Sequence, residues 1–214
     1  LPGHARSAML ARVTAALERR ADTLATSMVI QSGRALKDCR AEFDRSIVTM
    51  GLCAEEAKRL GGEVIPIDAV PAGAGKIGFT LRVPVGVVAA IFQFNTPLNL
   101  ACHKVGPALA AGNTVVLKAP LEGALVSVEL VEALLEGGVP PAAIQLIHGG
   151  GGGGAAIVEH PLVDLVNFTG GGPTAERIVA TAGLKRTLFE LGGNGATIVH
   201  ADANLEKAVD GIIP

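Results

Sequence analysis

The sequence has no tryptophan and no tyrosine, and aromatic residues make up only 3% of its 214 residues. It also has no block of basic residues, and its formal net charge is −2, so nothing indicates a nucleic-acid partner. No run reaches the roughly 18 consecutive uncharged apolar residues that a membrane span needs. The first residues, LPGHARSAMLARV, lack the apolar core of a signal peptide. We therefore expect a cytoplasmic protein that binds neither nucleic acid nor membrane.

Cysteine is scarce as well, and the three cysteines show no CxxC spacing and make no even-numbered disulfide framework. Reduced, mostly buried thiols are therefore expected at Cys39, Cys53 and Cys102, in keeping with a cytoplasmic protein. The histidines are spread without the spacing of metal ligands. We predict no metal site, and structural roles for His103, His148, His160 and His200.

Glycine and apolar side chains are abundant, with 28 glycines and 49% hydrophobic residues. A chain of this length suffices for one sizeable domain, or for a domain with a helical extension. The high glycine and low aromatic content suits an α/β protein in which backbones approach closely. The surplus of apolar residues predicts association with other chains or with further parts of the same protein. We expect a homo-oligomer that forms largely through parts outside these residues.

Hydrophobic periodicity divides the chain into a helical segment and an alternating α/β region. Residues 4–30 and 36–60 each predict a helix, and a linker rich in proline, glycine and alanine follows. From residue 79 onward, apolar strands alternate with helices, which is typical of βαβ units. The predicted strands are 85–91, 114–117, 144–148, 163–168, 187–190 and 196–199, and the predicted helices are 99–111, 122–136, 153–160, 173–182 and 204–211.

The stretch PVGVVAAIFQFNTPLNLACHKVGPALAAGNTVVLKAP, at 84–120, is the most informative part of the chain. Its residues 85–91 form a continuous apolar run, as expected of a strand buried on both faces of a parallel sheet. Asn95 lies in the loop after this strand, and Lys118 ends the next strand. Ligands of open α/β sheets bind at the carboxyl ends of the strands, so both side chains are placed to face one. We predict an α/β fold, with a parallel, doubly wound sheet preceded by two helices.

Four segments, in this order, resemble the aldehyde dehydrogenase superfamily: FQFNTPLNL, PALAAGNTVVLKAP, VNFTGGGPTAERI and LFELGGNGATIV. Weaker agreement through QSGRALKDCRAEF extends the resemblance over nearly the whole chain. The resemblance implies a Rossmann-like fold, in which 1–78 is a helical segment with a linker and 79–214 is an incomplete nicotinamide-dinucleotide-binding domain. It also implies NAD(P)-dependent oxidation of a small aldehyde to the carboxylic acid through a cysteine thioester. The pattern FNxPLNLxxHK resembles the branch that acts on small functionalised or semialdehyde substrates.

The resemblance assigns two catalytic residues. Asn95 matches the family's oxyanion asparagine, whose side-chain NH2 group stabilises negative charge on the substrate oxygen. Glu190, which precedes Leu191 and Gly192, matches the general base, and a tight, partly dry turn there would suit a base that works near neutral pH. The alternatives are an asparagine that only turns the loop before Pro97, and a glutamate that is only exposed at the end of a strand.

The resemblance also implies a cofactor, NAD or NADP, and Lys118 matches the lysine that hydrogen-bonds the adenosine ribose. NAD-preferring relatives carry a glutamate three residues later, where this chain has Leu121 with Glu122 beside it, so a 2′-phosphate is not repelled there. The glycine run 149–154 contains a formal GxGxxG motif, which has little specificity in an unbroken run of glycines. Besides Lys118, the predicted cofactor residues are Ile91, Phe92, Phe94, Gly151, Gly154, Phe168, Gly170, Gly171, Leu191 and Gly192.

Several features depart from the family pattern. Gly171 replaces the usual serine of an FTGS turn and Ala175 replaces a usual glycine, which predicts weaker or differently posed cofactor binding. The family's nucleophile lies in a segment beyond the ELGG base, and none of the three cysteines matches it. The catalytic domain is therefore expected outside these residues, and the chain alone should be inactive. A non-catalytic nucleotide-binding or assembly module, or a CoA-acylating relative, is the alternative.

Overall fold

Three helices lead the chain in the computed structural model, which describes residues 1–213. They are α1 (Gly3–Glu18), α2 (Ala21–Ser32) and α3 (Leu36–Glu56). The single helix predicted over 4–30 is wrong, because the chain turns at Arg19 and Arg20. Both arginines pair with Glu136, and their hydrogen bonds hold the pKa of that carboxyl below its usual range. Three helices rather than two therefore precede the main sheet.

The segment predicted as a linker contains a small antiparallel pair of strands, β1 (Val64–Ile65) and β2 (Gly78–Phe79). Short 3-10 turns at Ile67–Ala69 and Pro71–Gly73 lie between these two strands. The side chains of Val64 and Phe79 are exposed, so the pair covers no core of its own. The division of the chain into two domains at residue 78 stays a prediction.

Five parallel strands form the main sheet. They are β3 (Val87–Ile91), β4 (Thr114–Lys118), β5 (Ile144–Ile147), β6 (Leu165–Thr169) and β7 (Arg186–Glu190), in the spatial order β5-β4-β3-β6-β7. The helices that alternate with them are α4 (Pro97–Ala110), α5 (Ala124–Glu136), α6 (Gly151–Glu159) and α7 (Gly172–Ala182), and α8 (Leu205–Ile212) follows. The predicted parallel α/β sheet is therefore confirmed. Within residues 1–213, no helix is both long and apolar enough to cross a membrane.

The strand predicted over 196–199 is wrong. Residues 191–200 form an irregular segment after β7, without helix or strand. Ile198 and Val199 are apolar but exposed, and no strand of residues 1–213 pairs with the outer edge of β7. An apolar run forms a strand only where a neighbouring strand satisfies its backbone hydrogen bonds, and this run has no such neighbour.

Side chains of the strands alternate between two cores, because helices cover both faces of the sheet. Val88 and Ala90 of β3 face the larger core, which includes α4 and α5. Ala89 and Ile91 face the smaller core, which α6 and α7 build. Strand β3 also lies at a switch point, since the chain continues to β4 on one side and later returns to β6 on the other. Ligand crevices of doubly wound sheets open at the carboxyl side of such a point.

Asn113, in the turn after α4, fastens the start of β3. Its Oδ1 atom accepts hydrogen bonds from the Val85 and Gly86 N–H groups at 2.6 and 3.1 Å, and its Nδ2 group donates to the Ala108 carbonyl at 3.2 Å. Gly86 has a φ of +126°, and a Cβ atom there would lie 2.0 Å from the Asp164 carboxylate. Only glycine fits this position. The hydrogen bonds of the Asn113 side chain therefore stabilise the start of the sheet, and we assign this asparagine a structural role.

A buried carboxylate joins the leading helices to the helix that follows β3. Glu42 of α3 is fully buried, and its Oε1 atom accepts hydrogen bonds from the Leu98 and Asn99 N–H groups at 2.9 and 3.2 Å. Its Oε2 atom pairs with Arg34. The first residues of α4 have no capping side chain of their own. Glu42 therefore caps the N-terminus of α4 although it belongs to α3, and its carboxylate lies at the positive end of the α4 dipole.

Replacing Glu42 by alanine should destabilise the fold strongly. The change leaves Arg34 without its partner and two amides of α4 without an acceptor, and breaking a buried pair in this way costs about 3–5 kcal/mol in the free energy of unfolding. Urea unfolding followed by circular dichroism measures the loss. Asp44→Ala, at an exposed position of the same helix, is the control and should cost less than about 0.5 kcal/mol. A loss for Glu42→Ala as small as that of the control would contradict the capping role.

Candidate functional site

A cleft of about 700 Å³ opens at the carboxyl ends of β3, β4 and β6. It is lined by residues 91–94 after β3, by Lys118 at the end of β4 and by residues 168–171 at the end of β6. Parts of α6 and α7 complete the lining. A concave, partly apolar site of this size, at the switch point of a doubly wound sheet, is typical of cofactor and small-molecule sites.

Each of these two helices presents one stripe of residues to the cleft, at the i, i+3, i+4, i+7 spacing of a single helix face. α6 contributes Gly151, Gly154, Ala155 and Val158, and α7 contributes Thr174, Arg177, Ile178 and Thr181. A Cβ atom at Gly151 or Gly154 would meet no protein atom within 4 Å. Glycine at these positions therefore leaves the start of α6 open, so that its backbone N–H groups can meet an anion.

The structure brings most of the predicted cofactor residues together in this cleft. Those that line it are Ile91, Phe92, Phe94, Lys118, Gly151, Gly154, Phe168, Gly170 and Gly171. Leu191 and Gly192 do not line it, because the chain leaves the sheet after β7 and both residues are exposed in the irregular segment. The contact of each of these residues with a cofactor stays a prediction.

The turn after β6 depends on one glycine. A Cβ atom at Gly170 would lie 2.1 Å from the ring of Phe168, and the Gly170 N–H group donates to the Glu190 carbonyl at 3.1 Å. Phe168 in turn packs edge-to-face against Phe189, with ring centroids 6.2 Å apart. Gly171 is different, because the nearest atom to a Cβ there would be 3.9 Å away. Packing alone therefore does not exclude the serine that the family usually carries at this position.

Two cationic side chains line the cleft, and none of its lining residues is acidic. Lys118 is half-buried, and burial lowers the pKa of its ammonium group, although the charge of Glu122 opposes the shift. Arg177 lies on α7, and its side chain makes no hydrogen bond or ion pair with the part of the chain that the structure describes. Reasoning from the sequence missed Arg177. The available signal was a basic residue in the middle of the helix that follows a predicted phosphate turn.

Asn95 lies in the bend between β3 and α4, directly after Phe94 at the edge of the cleft. Its side chain is exposed and makes no hydrogen bond within residues 1–213, so it does not fasten the loop. The two N–H bonds of the amide are available to a ligand that approaches the carboxyl end of β3. Asn95 does not itself line the cleft, and its catalytic role stays a prediction.

Glu190 ends β7, opposite Thr169 of β6. The partly dry turn expected at Glu190 is wrong within residues 1–213, where β7 is the outermost strand on its side of the sheet and this glutamate is exposed. Phe189 packs against the core of α6 and α7. Since successive side chains of a strand point to opposite faces, Glu190 belongs to the face that α4 covers.

Lys104 of α4 lies on that same face, and reasoning from the sequence missed it. This lysine is only 4% exposed, and its Nζ group donates to Asn167 Oδ1 at 2.7 Å. Burial lowers the pKa of the ammonium from 10.5 to about 8, and the negative charge of Glu190 opposes the shift. Glu190 therefore lies close enough for its charge to act on the Lys104 ammonium. The signal in the sequence was the HK of FNxPLNLxxHK, which was used only as part of the resemblance.

The three thiols are unsuited to attack a substrate. Cys39, Cys53 and Cys102 are free cysteines in the larger core, and none of them lines the cleft. Burial raises the pKa of all three, to about 11 for Cys53. Because the thiolate is the nucleophilic form, thiols held protonated in a core are inert.

The chain is similar to aldehyde dehydrogenases along its whole length. A sequence profile described as "Aldehyde dehydrogenase family" matches residues 1–214. The 3-sulfolactaldehyde dehydrogenase of Priestia aryabhattai is 42% identical over 190 residues, which are 88% of this chain and 40% of that protein. The NADP-dependent glyceraldehyde-3-phosphate dehydrogenase from Bacillus halodurans C-125, solved in complex with NADP, superposes with a TM-score of 0.91 at 38% identity, over 98% of this chain and 44% of that one.

A second solved structure, PnpE in complex with nicotinamide adenine dinucleotide, also has a TM-score of 0.91, at 36% identity. The superposition covers 99% of this chain and 43% of PnpE. The chain therefore spans less than half the length of these relatives.

The buried ammonium of Lys104 should make the stability of the fold depend on pH. The unfolded chain keeps this proton up to about pH 10.5, whereas the folded chain releases it near pH 8, so the free energy of unfolding should rise between these values, by up to about 3 kcal/mol. The measurement is the difference in unfolding free energy between the wild type and Lys104→Met at pH 7 and pH 10. Both proteins contain the buried thiols, whose contribution to the pH dependence is opposite in sign, so this contribution cancels in the difference. The unfolding free energy of the wild type should increase relative to that of Lys104→Met as the pH rises.

The exposed Lys76 provides the matched control, since Lys76→Met removes a lysine outside any core. Its difference from the wild type should be the same at both pH values. A Lys104→Met difference that is equally flat would show that the lysine keeps its proton in the fold.

Proposed function

This chain belongs to the aldehyde dehydrogenase family, and we propose that it forms the cofactor-binding portion of an enzyme that oxidises a small aldehyde to the carboxylic acid with NAD or NADP. The observation that carries the proposal is the cleft at the switch point of the sheet. It combines an open helix start, a glycine turn and two cationic side chains.

The residues of the cleft fit a dinucleotide. Backbone N–H groups at the open start of α6 suit a pyrophosphate, because a helix N-terminus favours negative charge. Lys118 supplies a hydrogen-bond donor for the adenosine ribose, and the apolar side chains of Ile91, Val158 and Ile178 offer surface for the flat rings. When bound, the dinucleotide supplies the acceptor for the two electrons and the hydrogen that the aldehyde carbon loses.

In the proposed reaction a cysteine thiolate attacks the aldehyde carbon, and the carbonyl oxygen gains a negative charge. The side-chain N–H group of Asn95 donates a hydrogen bond to this oxygen, and a donor of this kind contributes about 3–4 kcal/mol to the stability of the transition state. Oxidation then leaves a thioester. Glu190 accepts a proton from water as the water oxygen attacks the thioester carbon, which releases the carboxylic acid and the thiol.

Lys104 lies near the base in this mechanism. The charge of Glu190 acts on its ammonium, and the hydrogen bond to Asn167 holds that ammonium in place.

The nucleophile of the proposed enzyme lies outside these residues. All three thiols of the chain are buried and have a raised pKa, so none is suited to the attack. The 214-residue chain therefore contributes the cofactor site, the oxyanion donor and the base, and should not oxidise aldehyde alone.

The proposed substrate is a small, functionalised aldehyde. Two of the relatives are named for aldehydes of this kind, 3-sulfolactaldehyde and glyceraldehyde 3-phosphate, and both carry an anionic group. The pattern FNxPLNLxxHK, within residues 94–104, supports the same class.

A further surface supports association, through another copy of the chain or through other parts of the same protein. Large apolar side chains are exposed from β7 through the irregular segment to the end of α8, among them Leu188, Ile198, Val209 and Ile213. The outer edge of β7 has no pairing strand within residues 1–213. Exposed apolar surface beside an unpaired sheet edge is typical of a surface that another polypeptide segment covers. A homo-oligomer and a cytoplasmic location stay predictions.

A non-catalytic nucleotide-binding or assembly module is the second candidate, because the chain has no suitable thiol and lacks the serine of the phosphate turn at Gly171. A CoA-acylating enzyme is a third, and Glu190 argues against it, since a base for water serves hydrolysis. Of these alternatives, an assembly module differs from the first candidate in that it would bind no dinucleotide.

The 214-residue chain should bind a nicotinamide dinucleotide with micromolar affinity. Titration calorimetry with NAD and with NADP measures the binding, and Lys118→Met should weaken it about tenfold, because a charge-assisted hydrogen bond is lost. Lys76→Met removes an exposed lysine outside the cleft and should change nothing. No binding of either dinucleotide to folded protein would contradict the proposal and support an assembly module.

Turnover should require the downstream part of the gene. With a small aldehyde, the 214-residue chain should form no NAD(P)H, whereas a protein extended downstream should. In the extended protein Asn95→Ala should lower kcat by about 100- to 1,000-fold, because the oxyanion loses its donor. Asp44→Ala, outside the cleft, should leave kcat unchanged. Turnover by the 214-residue chain itself would show that one of its own thiols is the nucleophile.

A further inference from the structure

Arg177 is a cation in the cleft to which the proposed function assigns no particular contact. Resting on that function, we propose that Arg177 and Lys118 together bind the 2′-phosphate of NADP, and that the chain selects NADP over NAD. The two residues come from different elements, α7 and the end of β4, and both line the same cleft.

The charges of the cleft favour a phosphate over a ribose hydroxyl. A site that selects NAD holds the ribose hydroxyls with a carboxylate, whereas an arginine accommodates the 2′-phosphate of NADP. No residue that lines this cleft carries a carboxylate, and two carry positive charge. NADP brings about 1.5–2 additional negative charges near pH 7, which these two cations would neutralise.

Glu122 is the acidic residue nearest in sequence to Lys118, and its charge acts on that ammonium. Its side chain is exposed and does not line the cleft, so it is not placed to hold a ribose inside it. The exposed Leu121 beside it likewise lies outside the lining. The carboxylate that a preference for NAD would require is therefore missing from the cleft.

Arg177 is exposed, but its position on the helix places it in the lining of the cleft. It belongs to the stripe of α7 that faces the cleft, where its neighbours Thr174, Ile178 and Thr181 are all uncharged. Glu176 is adjacent in sequence but lies on another side of the helix, since residues i and i+1 do not face each other. The guanidinium has no partner within residues 1–213, so its donors are available to a ligand.

The two cations have complementary properties. A guanidinium forms paired, parallel hydrogen bonds with phosphate oxygens, whereas a lysine ammonium acts as a point charge. Lys118 is half-buried, and burial disfavours its charged form. A phosphate dianion beside it would restore that form, so binding of the phosphate and protonation of Lys118 support each other.

Calorimetric titration of the 214-residue chain with NAD and NADP tests this inference. The wild type should bind NADP at least about tenfold more tightly than NAD, and this ratio should fall as salt rises, because the extra contact is between charges. Arg177→Ala should weaken NADP about 10- to 100-fold, as expected for the loss of charge-assisted hydrogen bonds, and should change NAD less than about threefold. Arg177→Lys should recover part of the loss. The exposed Arg186, outside the cleft, supplies the control Arg186→Ala, which should leave both affinities unchanged.

Three outcomes would overturn the inference. If Arg177→Ala weakened NAD and NADP equally, Arg177 would serve the dinucleotide in general and not its 2′-phosphate. An unchanged affinity for NADP would make it a solvated surface residue, and tighter binding of NAD than of NADP by the wild type would refute the preference. In all three cases the proposed function stands, because a dinucleotide binds. Only the failure of folded wild type to bind either dinucleotide removes the proposed function as well.

Discussion

The hydrogen bonds from the first N–H groups of α4 to the buried carboxylate of Glu42 are the interaction on which the rest of the structure depends. They place a charge in a fully buried position, which is costly unless it is paired and hydrogen-bonded on all sides. Arg34 supplies the counter-charge, and α4 supplies two amides that would otherwise lack acceptors. The leading helices are thereby fixed to the helix that starts just after Asn95 and carries Lys104. The positions of Asn95 and Lys104 depend on that attachment.

The parallel sheet imposes the second constraint, because its alternation divides the functional residues between two faces. Ile91, Lys118 and Phe168 face the side of α6 and α7, where the dinucleotide cleft lies. Lys104 and Glu190 lie on the side of α4. Since all strands run in one direction, the loops of both faces meet at one edge. In the proposed enzyme, an aldehyde bound at that edge would thus be within reach of a cofactor from one face and of the proposed base from the other.

Much of this arrangement could be predicted from the sequence, for a definite reason. The strands of a doubly wound sheet are continuous apolar runs, so the sequence predicts where each strand ends. The positions of Asn95 and Lys118 follow from these strand ends. Long-range pairing is not visible. The turn at Arg19 and Arg20 depends on Glu136, more than a hundred residues away. The apolar run at 196–199 looked like a strand, but no neighbour pairs with it within residues 1–213.

The sequence by itself determined the fold class, the family resemblance and most of the residues of the cleft, because each of these follows from local patterns of apolar runs, glycines and turns. Only the tertiary structure decided which charges meet. Lys104 is buried against Asn167 and near Glu190, while that glutamate is exposed on the edge strand. Arg177 lies in the lining of a cleft that has no carboxylate among its lining residues. The reason is that the charge state and role of an ionisable group depend on its burial and neighbours, and those neighbours come from distant parts of the chain.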